Sequence, residues 1–138
     1  MPNLKQSKVV VVHNYNQAFY AMKAASKIKK KIYILSPENA ASYMGPLFFK
    51  KLLKKAEKSF PKVKYCEILN CNNDIGLALE AIQCGIKSIE IKCNQLVLKK
   101  IKNICKKEGV SINNVNKKKL DLEYVENVYD ECLKWFDN

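Results

Sequence analysis

A cysteine set among polar residues, Asn70-Cys71-Asn72-Asn73-Asp74, has the most chemical potential in this chain. It stands just ahead of a helical pattern, and a helix amino terminus lowers a thiol pKa from about 8.5 and favours the nucleophilic thiolate. The only histidine, His13, closes the apolar run Val9–Val12 and could act as base for Cys71 if their strands were neighbours. A thiol-dependent enzyme built on Cys71 and His13 is therefore one expectation. The plainer role for Cys71 is a small, shielded corner residue, because no flanking signature of a thiol enzyme accompanies it.

Other polar residues stand at comparable corners. Asn14, Ser36, Glu38, Asn70, Asn72 and Asp74 form a candidate set for binding a small polar ligand. Asn and Asp also cap helices and shape turns, which alone would account for Asn14 or Asn16, for Asn72 or Asp74, and for Asn94. Four polar residues around one cysteine exceed what a cap requires. Lys92, at a strand end, could form a Schiff base if desolvated. The segment Leu79–Lys92 resembles strand–helix pieces of barrel aldolases, which adds an aldolase-like lyase as a further alternative. Ser36 lacks the G-x-S-x-G setting of a hydrolase nucleophile. Without a C-x-x-C pair, and with one histidine, no structural metal site is expected. The glycine-rich phosphate motifs are absent as well, so no cofactor is expected.

These corners need elements to hold them. Five β-rich runs, Lys8–His13, Lys31–Ser36, Val63–Asn70, Ser88–Lys92 and Val110–Ile112, alternate with amphipathic helical stretches. That alternation predicts one α/β domain over residues 1–138. The expected fold is a three-layer open, mostly parallel five-stranded sheet with helices on both faces, Rossmann-like or flavodoxin-like. Strand starts lie at the spacing of right-handed crossover units. A closed α/β barrel needs eight such units, so it could arise only as a half-barrel that pairs. In a parallel sheet the ligand site lies outside the carboxyl ends of the strands. Residues 113–119 read as a polar linker to an acidic helix over about 121–136, with Leu122, Val125, Tyr129, Cys132 and Phe136 on one face.

Composition narrows the partners. The chain has 138 residues, 48% of them hydrophobic, and a formal net charge of +12. No apolar run approaches the ~18 residues of a membrane span. Met1–Ser7 lacks an apolar signal core, so a soluble, cytoplasmic protein with no membrane partner is expected. All 25 basic residues are lysine, there is no threonine, and Asn and Ile abound, a pattern that A/T-rich codons would also produce. Lysine offers a mobile point charge where arginine offers a bidentate fork. Helix-back lysines such as Lys50, Lys51, Lys54, Lys55 and Lys58 read first as a solvated face. A protein or nucleic-acid interaction module is the lesser alternative. Residues 120–138 hold one lysine against six acids, so the last helix should dock on the basic body of its own chain. A homodimer through that helix, anchored by Trp135 and Phe136, is the other arrangement. Cys66, Cys84, Cys105 and Cys132 fall within strand and helix patterns and read as small apolar residues.

Two stretches carry a resemblance. Ser36-Pro37 is followed by Ala40, Ala41, Tyr43, Gly45 and Phe49, and Cys71 by Gly76-Leu77-Ala78-Leu79, Ala81 and Gly85. Over residues 8–112 the chain resembles a group of small, functionally uncharacterised single-domain α/β proteins of alphaproteobacteria. Their second corner reads Asp-Cys-Gly-Asp where this chain has Asn70-Cys71-Asn72-Asn73. Cys71 matches, while the acidic and glycine positions depart. The resemblance implies a site location and no particular reaction. The expectation is a domain that binds a small polar ligand at the carboxyl edge of its sheet.

Overall fold

The computed structural model describes residues 7–38, 44–116 and 118–138. Its elements run β1 (Lys8–Val11), α1 (Tyr15–Ile28), β2 (Ile32–Leu35), α2 (Pro46–Glu57), β3 (Tyr65–Asn70), α3 (Ile75–Gln83), β4 (Ser88–Glu90), α4 (Gln95–Glu108), β5 (Ser111–Ile112), β6 (Lys119–Asp121) and α5 (Val128–Asp137). Most of the corner Asn39–Met44, including Ala40, Ala41 and Tyr43 of the resemblance, lies outside the described residues.

The helix boundaries follow local chemistry. Asn14, Asp74 and Asn94 each accept a hydrogen bond from the backbone N–H three residues ahead, capping α1, α3 and α4. Gly45-Pro46 opens α2, where proline's missing N–H is not needed. Gly109 closes α4 in the left-handed conformation, with φ at 70°.

All strand pairs are parallel, in the order β5-β4-β3-β2-β1-β6. The open parallel α/β sheet is as expected, but it has six strands. The extra strand, β6, lies where a polar linker and a helix start were expected. Lys119-Leu120-Asp121 has a single apolar residue, so no alternation marks it. Leu122 and Val125, whose spacing imitates a helix, sit in the turn ahead of α5, which begins only at Val128.

Successive strands β1 to β5 step in one direction, so right-handed crossovers place their helices on one face. Buried residues of all five helices accordingly share one cluster with Val10, Val12, Ile32, Ile34, Leu69 and Ile89. The alternate residues Val9, Val11, Tyr33, Leu35 and Ile68 face the other way and meet Val115, from the β5–β6 connection. The layering is thus uneven, with helices over one face and this connection crossing the other. In a flat sheet β5 and β6 would stand five strand spacings apart, ~24 Å. The seven residue steps from Ile112 to Lys119 reach at most ~25 Å. The connection therefore has to cross the face directly, as a strap.

The acidic last helix docks on its own body. α5 lies against α1, and Val128, Cys132 and Phe136 are buried there. The Trp135 indole N–H donates to the Val9 carbonyl at 3.0 Å, and the Lys8 ammonium sits 4.5 Å from the ring centroid. Among the described residues no helix is long and apolar enough to cross a membrane.

Candidate functional site

A cavity of about 290 Å³ opens at the carboxyl edge of the sheet, beneath the strap. Val11, Leu35, Ser36, Glu38, Asn70, Glu90 and Lys92 supply its sheet side, and Asn114–Asn116, Lys119 and Asp121 supply the rest. Parallel strands bring it about, because all their carboxyl ends leave the sheet at one edge.

Hydrogen bonds fix the wall. The Ser36 hydroxyl accepts from the Asn70 N–H at 2.8 Å, tying β2 to β3. The Asn70 side chain then accepts from the Asn72 N–H at 2.9 Å, which turns the corner. Asn72 sits at φ 54°, a left-handed conformation that asparagine and glycine tolerate best. From β4, the buried Glu90 carboxylate accepts the Val115 N–H, and the Ile91 N–H donates to the Asn114 side chain at 3.3 Å. Glu90 and Asn114 together hold the strap over the cavity. Three carboxylates (Glu38, Glu90, Asp121) and two ammonium groups (Lys92, Lys119) give the lining both signs of charge.

Of the residues singled out in the sequence, Ser36, Glu38, Asn70 and Lys92 meet in this cavity. The others do not join them. Asn14 and Asp74 serve as helix caps, and Asn72 shapes the β3–α3 turn. Cys71 is fully buried in the helix-side cluster, with its sulfur 3.7 Å from the Leu69 carbonyl. Burial first, and the Asp74 carboxylate second, push its thiol up to about 12. His13 lies two residues past β1, which β2 separates from β3, and its Nε2 lies 2.6 Å from Asp121 Oδ1. Cys71 and His13 thus belong to different environments, and the thiol has no thiolate to offer near neutrality. Lys92 is exposed, without the enclosure a Schiff-base lysine needs. With iodoacetamide at neutral pH, the partly exposed Cys84 and Cys93 should react well before Cys71. Residue-resolved mass spectrometry checks this, and an equal or faster Cys71 would reinstate the thiol mechanism.

His13, Asp121 and Glu123 bring possible metal ligands within 4.8 Å of one another. Asp121 Oδ1 is already shared between the His13 ring and the Glu123 N–H, at 2.6 and 3.0 Å. The group is accounted for by hydrogen bonds at a turn. Glu90, the strap asparagines, Lys119 and Asp121 were not anticipated. The signal for Glu90 was the alternation Ser88-Ile89-Glu90-Ile91-Lys92, which puts Ser88, Glu90 and Lys92 opposite the helix-facing isoleucines. No known family model matches the chain, and no curated protein matches it either.

Proposed function

We propose that the protein binds a small polar solute, bearing an anionic group and several hydrogen-bonding groups, in the cavity beneath the strap. One observation carries this reading: the buried polar residues Ser36, Asn70 and Glu90, at the ends of β2, β3 and β4, share one cavity with exposed charged groups of Lys92, Lys119 and Asp121, at the edge where parallel α/β sheets take ligands. An apolar occupant would strip water from Ser36, Asn70 and Glu90 with nothing in return, which is costly. A polar solute replaces that water. Lys92 and Lys119 suit its anionic group, and the carboxylates suit its donors.

Thermal-shift screening against amino acids, sugar acids and small phosphorylated metabolites tests this. A true ligand at a hundred times its Kd stabilises the protein by about 2.7 kcal/mol. Lys92→Ala and Lys119→Ala, both at exposed positions, should weaken binding at least tenfold and leave the ligand-free melting temperature within about a degree. Unchanged affinity in both variants, or no stabilisation by any polar solute at millimolar concentration, would overturn the reading.

A further inference from the structure

The opposite edge of the sheet has a different chemical character. Strands that all run one way also begin at one edge, and lysines collect there. Lys29, Lys30, Lys31, Lys62 and Lys64 line one hollow of about 450 Å³. A second hollow of about 700 Å³ shares Lys31, Val63 and Lys64 with it and adds Lys50, Lys54 and Lys87. The two hollows are therefore neighbours. Glu57 and Glu67 are the acids in their lining.

Part of this charge has a structural explanation. Helix carboxyl ends, which carry partial negative charge, also lie at this edge, and lysines there complement it. Lys29 caps α1, Lys54 lies in the last turn of α2, and the Lys50 ammonium donates to the Cys84 and Gly85 carbonyls at 3.1 Å. Lys31, Lys62, Lys64 and Lys87 stand outside the helices. Among the described residues none of these four has a carboxylate within ion-pair distance. The acids offer little opposition. Glu57 accepts from the Tyr65 hydroxyl at 2.7 Å and pairs with Lys54. Burial raises the Glu67 carboxyl pKa, with Lys50, Lys54 and Lys87 pulling the other way.

We infer that this amino edge binds the phosphodiester backbone of double-stranded nucleic acid, without reading its bases. A duplex presents one negative charge per ~1.7 Å of axis, which suits a run of unpaired lysines. The chain has no arginine, so the bidentate arginine contacts that most often read guanine are missing. Single strands are held by aromatic stacking platforms, and Tyr65, the aromatic in the lining, is tied to Glu57. None of the exposed large apolar side chains lines either hollow, so the surface lacks groups to insert into a membrane.

The test is fluorescence anisotropy of a labelled mixed-sequence 20-base-pair duplex against the full chain, over about 50–200 mM salt. With the four unpaired lysines engaged, log K should fall against log salt with a slope near −3.6, at about −0.9 per neutralised phosphate. Lys62→Gln/Lys64→Gln/Lys87→Gln, all at exposed positions, should weaken binding at least tenfold and flatten the slope by about 2.7. Lys99→Gln/Lys100→Gln, exposed on α4 and outside both hollows, should change neither. Thermal melts confirm that the variants fold, and Lys62→Gln alone should shift affinity the same way if the triple variant does not. No saturable binding at 50 mM salt, equal loss in the two variants, or tighter binding of a single strand or of anionic phosphatidylserine vesicles would each overturn the inference.

Discussion

Phe136→Ala should destabilise the protein by about 4 kcal/mol, the mid-range for removing a buried phenylalanine. Phe136 is fully buried where α5 docks on α1. α1, on which α5 docks, buries the small residues Ala18, Ala21, Ala24 and Ala25. Small side chains let helices approach closely, but they cannot expand into a vacated ring volume, so a cavity would remain. The loss is a large share of the 5–15 kcal/mol that holds a typical domain together. Urea unfolding followed by Trp135 emission reads it directly, because this is the only tryptophan and its indole bonds to β1. Phe136→Leu should recover most of the loss. A cost below about 1 kcal/mol would mean that α5 is not seated on α1 in solution.

Glu90→Ala should cost about 2–3 kcal/mol, and its effect should be concentrated on the strap. The carboxylate is buried and is the acceptor for the Val115 N–H. Its removal loses a charge-assisted hydrogen bond and leaves a buried donor unsatisfied. The melting temperature should fall by roughly 5–10 °C for a chain of this size. Amide exchange at Val115 should accelerate far more than at Val10 or Ile34 in the sheet centre. Glu90→Gln keeps an acceptor at the same place and should retain about half of the stability. Unchanged exchange at Val115 would show that packing against Val9, Val11 and Tyr33 holds the strap unaided.

These variants probe the part of the molecule least legible in the sequence. The helices α1 to α4 and their ends were readable because their determinants are local: an Asn or Asp cap, a proline at the start, a glycine at the finish. α5 was readable but its start at Val128 was not, since Leu122 and Val125 extend the helical spacing ahead of it. The class of sheet followed from alternation. Strand order did not, since nothing in Lys119-Leu120-Asp121 announces that it pairs with β1. The candidate site was half legible for the same reason. Ser36, Glu38 and Asn70 lie at strand ends that a parallel sheet must bring together, while Glu90, Asn114 and Asp121 matter only once the strap crosses the second face. Cys71 offers the sharper lesson. Leu69 faces the helices and Asn70 the cavity, so period-two alternation turns Cys71 back toward the helices. Polar neighbours in sequence were not neighbours in space.

Placing β6 beside β1 also has a consequence in time. The residues that pair, Val9–Val11 with Lys119–Asp121, are separated by 110 positions. At ~5–20 residues per second, a growing chain exposes β1 for about 6–20 s before its neighbour has been made. Throughout that interval the open flank is Val9-Val10-Val11, a bare apolar edge of the kind that invites pairing with another chain. A nascent chain that stalls short of Lys119 keeps that edge permanently and also lacks the acidic helix that covers α1. Synthesis of residues 119–138 therefore separates a chain that can close on itself from one that will seek a strand elsewhere.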